Sequence, residues 1–572
     1  MVLVRGTTAE AGERYGDLLK RITSRLKNPV KVRLLVWHDD VVVQELMKNN
    51  PGYYGKRFPT IGSGMGDYYS EAHQAYNAEW YAQACANDIP NLQFHVRKVP
   101  HDLLGQSLSG EPVPTGFEAK TMAKVTELYA THHQKMILID YETPAAAIGY
   151  VMGHNSITDF WDTEKHLFHD LRREHFYKMD HMALQKTAWQ QGELYDAPAS
   201  GYILSEQQQA DKERLVQLYI DRYSYVTKPY QDVSSRVLGP ILYDLNHNFC
   251  QAWQESTRPN SLFMELGLHI PSVAMSTVLV AYKTASFFLD PDMDQDFIAR
   301  RKKISLSTFN RPDGRHNLQL LRTQPLHAEK AIKECYANLT RQMLHYIFVQ
   351  NQYIQYAPWA EHLIECVGRL RTAGYLKPIY VFMLTSTPEK VGLDLPTYDV
   401  ASKVGMSETM TVEHQKALAM AREGKGEQPI TPAQLEKQGI NVFMGSLWTC
   451  ADIEGKLRPT DYEEIYIHAK VAIVDDAAFT IGSANLNLRS MALDSELNVL
   501  SDALDVAFKL RSDLFSQCTG DAGPAQFGDM EKTFRHWQVI ASTNLKHKAK
   551  GAQLEGELFP FHVDRKPGMP EV

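Results

Sequence analysis

Two stretches of this chain repeat one uncommon pattern. "THHQKMILID" (131–140) and "IHAKVAIVDD" (467–476) each place a lysine two residues after a histidine, then an apolar run, then an aspartate. The residues are His133, Lys135 and Asp140 in the first copy, and His468, Lys470 and Asp475 in the second. With 22 histidines in 572 residues, one such match arises by chance in roughly one chain in ten. Two matches are far rarer, because each lies in a β-rich run and is followed by another strand and a turn. A chain so patterned has to build one local structure twice.

The elements around the motifs also recur in order. The first pass predicts a helix near 11–26, strands at 31–37 and 92–99 with a helix near 71–87 between them, the motif strand, and a strand over 145–153. The second predicts a helix near 328–345, strands at 346–353 and 379–384 flanking a helix near 359–373, then strands at 440–447, at the motif and at 478–485. Helices alternating with continuous apolar strands imply an α/β fold of two similar lobes, each a mixed sheet flanked by helices. The boundaries expected are a first lobe over 1–162, a helical and loop-rich connection over 163–320, a second lobe over 321–545 and a tail over 546–572. An insertion at 385–438, rich in Pro, Gly and charge, reads as a lid or a partly mobile loop. The histidine-rich "HLFHDLRREHFYKMDHMALQKTAWQQ" has no metal-ligand spacing and reads as a solvated helix. No metal or cofactor is expected.

In a strand, residues two apart share a face, so His133 and Lys135 project together, as do His468 and Lys470. His132 then faces the other way, as a structural residue. Asp140 and Asp475 follow at an odd offset and read as hydrogen-bonded braces at the strand ends. Gly482, Ser483 and Asn485 form a turn of small and neutral polar residues beside the second cationic pair. Two such clusters meeting across a lobe interface suit a phosphate. A neutral imidazole could attack a phosphodiester to give a phosphohistidine, while a second, protonated imidazole donates to the leaving alkoxide. Two lysines and two asparagines around the nonbridging oxygens supply charge stabilisation without a metal. A third His-x-Lys pair, His414 and Lys416, lacks the aspartate and reads as surface helix.

These residues resemble the phospholipase D superfamily, whose signature is a twice-repeated H-x-K-x4-D. The likeness extends to "PYQDVSSRVLGPILYDLNHNFCQAW" (229–253), "LRTQP" (321–325), "YIFVQNQYI" (346–354) and "GSANLNLRSMALDSELNV" (482–499). It implies that His133 is the nucleophile and His468 the general acid. It also implies that Lys135, Lys470, Asn155, Ser483 and Asn485 hold phosphate, and that Asp162 and Glu496 orient the histidines. Met152-Gly153-His154-Asn155 departs from the family's usual turn, and Gln231 and Gln350 stand where a His and a Glu are common. The implied activity is cleavage of the distal phosphodiester of a glycerophospholipid; a superfamily nuclease is the alternative. The nearest overall look is to bacterial phospholipases delivered by type VI secretion, which implies a secretion apparatus and an immunity protein as partners.

Composition bears on partners. A net charge of −8 gives no overall basic character to hold nucleic acid, so a phospholipid surface is the expected partner. With both motifs in one chain, a monomer is expected. The first thirty residues do not read as a Sec signal and no membrane span is visible, so a soluble protein exported without a signal peptide is the expectation. Six cysteines without C-x-x-C spacing read as buried thiols.

Overall fold

A computed structural model describes residues 13–37, 79–97, 130–155, 161–168, 228–258, 296–388, 394–520 and 528–563, apart from single positions within them, and a few short pieces between. In the first half, Val32–Trp37 (β1) runs parallel to Leu92–Arg97 (β2), and Met136–Ile139 (β3) lies antiparallel to Ile148–Met152 (β4). Tyr230–Gln231 (β5) and Ser234–Val237 (β6) follow, and β6 pairs with β4 to complete a three-stranded sheet. Helix Ile241–Gln254 (α1) packs Leu242 and Leu245 against this sheet at Gly149, where a side chain larger than hydrogen would collide with both leucines.

The second half supplies Leu318–Gln324 (β7), Glu329–Lys330 (β8), Tyr346–Asn351 (β9), Ile379–Leu384 (β10), Ile440–Cys450 (β11), Tyr462–Ile467 (β12), Lys470–Val474 (β13), Ala478–Gly482 (β14) and Glu496–Ser501 (β15). Their order is β8-β7-β15-β14-β13-β9-β10-β11-β12-β5, with Leu558–Pro560 (β16) on β11. The central pairs β9/β10 and β10/β11 are parallel and the rest of the second-half ladders antiparallel, which makes one large mixed sheet. The pairings of the first half recur here: β9 is parallel to β10 as β1 is to β2, and β13 is antiparallel to β14 as β3 is to β4. In the second half β9 also joins β13. Among the described residues β1 and β3 share no ladder.

Alternation along β9 and β10 assigns the two faces. Ile347, Val349, Val381 and Met383 point to one side, against Ala331–Gln342 (α2) and Ala357–Thr372 (α3). Phe348 and Phe382 point to the other, where Leu504–Thr519 (α4) and Met530–Lys550 (α5) bring Phe515 and Trp537. The Trp537 ring lies 4.9 Å from Phe382 and 4.7 Å from Phe515. Each such side chain, fully buried, contributes roughly 1.5–3 kcal/mol. Burial on both faces explains why these strands read as continuous apolar runs rather than alternating ones.

Three expectations are corrected. The 385–438 insertion is no loose lid: helices Asp394–Lys403 and Pro432–Lys437 bury Val400, Ala401 and Leu435 in the α2/α3 core, and Thr411–Arg422 packs Ala417 against it. Polar composition on the outer faces hid that inner stripe. His414 does lie on one of these helices. The 546–572 tail is structural up to Val563, because β16 extends the sheet and Phe559, Phe561 and Val563 are buried. In the histidine-rich run, the described residues are not a solvated helix. His166 is buried, and His175–Tyr177 forms a strand with Ser224–Val226. The rest of that run, and the apolar stretch 272–289, lie outside the described residues. Among the described residues no helix is long and apolar enough to cross a membrane.

Candidate active site

Each motif sits where regular pairing pauses. β12 ends at Ile467 and β13 begins at Lys470, so His468 occupies the elbow between them. Its N–H and that of Ala469 both donate to the Gln231 carbonyl, at 2.8 and 3.0 Å. His133 and Lys135 stand just ahead of β3 rather than within it, which corrects the expectation of a regular strand there. They are held instead by the other half of the chain. His133 N–H donates to Ser495 O at 2.8 Å, and Ser495 N–H donates to Thr131 O at 2.9 Å. His132 Nδ1 lies 2.8 Å from Ser495 Oγ, on the side opposite its neighbour.

The lysines behave alike. Lys135 Nζ donates to His133 O at 2.7 Å. Lys470 Nζ donates to His468 O, and to Gln352 Oε1 at 3.1 Å. Each folds back onto the main-chain carbonyl of its own histidine.

Carboxylates hold both rings. His133 Nδ1 lies 3.0 Å from Glu496 Oε1, and the fully buried Glu496 also accepts from Ser483 Oγ at 2.5 Å and Ser490 Oγ at 2.6 Å. His468 Nδ1 lies 2.7 Å from Asp232 Oδ2. With Nδ1 committed to a carboxylate, Nε2 is the nitrogen each ring can offer to a substrate.

Two further expectations change. Asp162 touches neither histidine. It accepts the N–H groups of Thr163 and Tyr230, both at 2.8 Å, and lies 3.8 Å from Arg173, so it fixes β5 while Asp232, two residues beyond Tyr230, takes the imidazole. Ser483 does not face a ligand: it is fully buried, its hydrogen goes to Glu496 and its oxygen receives Leu497 N–H at 3.0 Å. Asn485 is 5% exposed, with a buried carbonyl oxygen that has no partner among the described residues. Asn155 lies on a cavity wall.

The aspartates that close the motifs lie away from the rings. Both are in the left-handed region, with φ of 50° and 53°, which an aspartate tolerates better than most residues. Asp475 accepts from the N–H groups of Leu344, His345 and Tyr346 at 2.6, 2.9 and 2.7 Å, tying the end of β13 to the start of β9. Asp140 is exposed, with no side-chain hydrogen bond among the described residues.

Sequence reasoning missed Asp232, Ser490 and Gln352. Asp232 lies inside the quoted "PYQDV" run, and its signal is the glycine it requires: a Cβ at Gly153 would overlap Asp232 Oδ1. Gly482 is similarly confined by Asn498 and Leu497 O, and its own carbonyl lies 3.3 Å from where a Gly153 Cβ would stand. The turns after β4 and β14 therefore meet backbone to backbone. A cavity of about 1390 Å³ reaches this site at Asp232, His154 and Asn155, and extends past Trp161, Tyr230 and Trp448 to Gln517 and Glu557. Neither motif histidine lines it. It adjoins the reacting centre from behind Asp232.

The electrostatics call for an anion. Burial, followed by the Lys135 and Lys470 charges, lowers His133 below its ordinary value, with Glu496 opposing. Burial and the same lysines hold His468 well below. Burial also lowers Lys135 to about 7 and Lys470 to about 8. Burial alone pushes Glu496 up, but His133, Lys135 and the Ser483 hydroxyl bring its carboxyl below the usual range. Cationic groups crowded out of water recover their protons when a negative ligand arrives. Among the described residues, no group of three or more His, Cys, Asp or Glu side chains is placed to hold a metal.

Two lysines, two Nδ1-anchored imidazoles and an anion-seeking field can hold a phosphoester, as a site of the phospholipase D type would. Comparison with known proteins finds relatives of that type. Residues 430–517 match the family model described as "Cardiolipin synthase, PLD-like domain". The chain is 27% identical to human Phospholipase D1 over 49% of its own length and 25% of that protein. It is 26% identical to Phospholipase D1 of Saccharomyces cerevisiae over 72% of its length and 23% of the relative, and 22% identical to maize Phospholipase D alpha 1 over 64% and 45%. Over these stretches the chain is similar to proteins of the phospholipase D superfamily. It spans a quarter to a half of the length of these relatives. Among solved structures, phosphatidylserine synthase from Haemophilus influenzae aligns over 94% of this chain and 93% of its own, with 12% identity and a TM-score of 0.36, a likeness too loose to add to the fold argument.

Proposed function

We propose that this protein is a phospholipase D: it hydrolyses the distal phosphodiester of a glycerophospholipid to phosphatidate and a free headgroup alcohol. The observation that carries the reading is the reciprocal support of the two imidazoles. His133 of the first motif is held by Glu496 of the second half, and His468 of the second motif by Asp232, which precedes that half. One reacting centre therefore draws on both.

Neutral His133 attacks phosphorus through Nε2, forming the P–N bond as the bond to the headgroup oxygen breaks. His468, protonated on Nε2, gives that proton to the departing alkoxide. The two rings need opposite protonation states. Burial and the lysines hold His468 neutral in the empty site, and the phosphodiester charge offsets them, so that His468 gains its proton as substrate binds. Lys135, Lys470, Asn155 and Asn485 surround the nonbridging oxygens and stabilise charge as it shifts. Water, deprotonated by the now neutral His468, then attacks phosphorus, breaks the P–N bond and restores His133. A narrower role, as an antibacterial effector exported by type VI secretion and countered by an immunity protein, rests on overall sequence resemblance. Growth arrest of bacteria expressing the chain in their periplasm, and its loss in the His133 variant, tests it.

The enzymatic reading is tested by incubating the protein with a panel of phospholipid vesicles and separately with labelled DNA. Phosphatidate should form from lipid, and His133→Ala should abolish it while leaving the circular dichroism unchanged. Cleavage of DNA without lipid turnover assigns the site to nucleic acid. Headgroup release at the normal rate by the variant removes His133 from the mechanism.

A further inference from the structure

β5 is two residues long and, among the described residues, forms one end of the large sheet, paired only to Tyr466 and Ile467 of β12. So short a ladder holds little by itself. Yet two anchors of His468 hang from it: the Gln231 carbonyl takes two N–H groups of the His468 elbow, and the adjacent Asp232 takes the ring. Asp162 holds the Tyr230 end of the strand, and something besides the ladder has to keep the Gln231 end in place.

Its side chain is pegged at both ends. Gln231 Nε2 donates to Gln350 Oε1 at 3.3 Å, and Gln231 Oε1 accepts from Gln517 Nε2 at 3.3 Å. Gln517, on α4, also directs Nε2 at Glu164 O, 3.2 Å away, and lies 3.3 Å from His166 Nδ1. His166 Nδ1 is in turn 3.0 Å from Glu557 Oε1. Gln231, Gln350 and His166 are each 5% exposed or less. An amide nitrogen carries two hydrogens. If His166 donates its Nδ1 hydrogen to Glu557, both Gln517 hydrogens remain for Glu164 O and Gln231 Oε1, and the donors and acceptors around Gln517 match. The side chains thus run unbroken from the cavity wall at Glu557 to the middle of the sheet at Gln350.

We propose that Gln517 is a positioning residue for His468: by donating to Gln231 it fixes the short strand that carries both the main-chain and the carboxylate anchors of that imidazole. This rests on the reading of His468 as the acid that protonates the leaving alkoxide. Gln517 touches neither substrate nor imidazole, so its effect is confined to the step that needs a placed proton.

The test compares two leaving groups. Gln517→Glu keeps the shape but turns both hydrogens into lone pairs facing carbonyl oxygens; Gln517→Met removes hydrogen bonding at the same length. Each is assayed on phosphatidylcholine or phosphatidylethanolamine vesicles, whichever the wild type turns over, and on diacylglycerophospho-p-nitrophenol, whose leaving group departs without a proton. The expected result for the natural ester is a fall in kcat of about 10- to 100-fold with KM little changed, and near wild-type kcat on the aryl ester. Equal losses on the two esters, or no loss on either, in the variant that keeps its wild-type circular dichroism would overturn the role. Wild-type protein that hydrolyses neither ester would instead overturn the reaction itself, and the role with it.

Discussion

At the scale of single residues, the site turns on which atom of each imidazole is already committed. Asp232 accepts from Nδ1 of His468, so exchanging it for asparagine removes the anion that favours the protonated ring and lets Nδ1 face a donor as readily as an acceptor. Asp232→Asn should lower kcat on the order of 1,000-fold or more. Because His468 has to be protonated to act as an acid, and the lost charge lowers its pKa further, the alkaline limb of the kcat profile should move to lower pH. A pH–rate series on wild type and variant measures both; an unmoved limb separates Asp232 from the proton transfer. The reacting pairs were legible in the sequence, because a histidine and a lysine two apart in an apolar run demand an explanation. Their supports were not. Asp232 and Ser490 come from distant parts of the chain, and Ser483 looks like a phosphate ligand until its hydrogen is seen on Glu496.

Elements place these residues through close approach. The turn after β4 brings Gly153 against Asp232, leaving no room for a methyl group. Gly153→Ala should therefore displace the carboxylate from His468. A displacement near 1 Å costs about 100-fold in rate, read as a loss of kcat in protein whose melting temperature shifts far less than a core substitution would shift it. Retained kcat would mean that the turn yields instead of Asp232. Of the elements, the helices and strands of the second half were legible because strong periodic or apolar runs specify them. What periodicity could not give was the end of each strand. β3 and β13 begin later than their apolar runs suggest, because the motif histidines take main-chain partners outside their own ladder. The 385–438 helices were missed for a related reason. Their buried stripe is narrow, and the charges beside it dominate composition.

The whole molecule assembles a charge that neither half holds alone. Lys135 and Lys470 come from opposite halves, and burial brings them to about 7 and about 8. At pH 8 the empty site has therefore given up part of its positive charge. Sulfate, which does not titrate in this range, should restore it, so binding at pH 8 should take up protons, by an amount that falls toward the share taken by His468 as the pH is lowered toward 6. Titration calorimetry in two buffers of different ionisation enthalpy measures the uptake; binding with no buffer dependence would mean that the lysines stay charged in the empty site. A repeated architecture was legible from the two motifs, whereas the cross-strapping of residues 131–133 onto Ser495 depends on contacts more than 350 positions apart in the chain.

The ends of the large sheet carry a last consequence. Among the described residues it finishes at β8 on one side and β5 on the other, each two residues long. A long open edge is a template for another chain's backbone, and sheets that lack a cover invite stacking into fibres. Here Glu329 and Lys330 form one terminal strand, with Glu329 paired to Arg322, and Tyr230 and Gln231 form the other. Among the described residues these terminal strands themselves thus offer an incoming strand little backbone to copy, and their brevity serves as protection against aggregation.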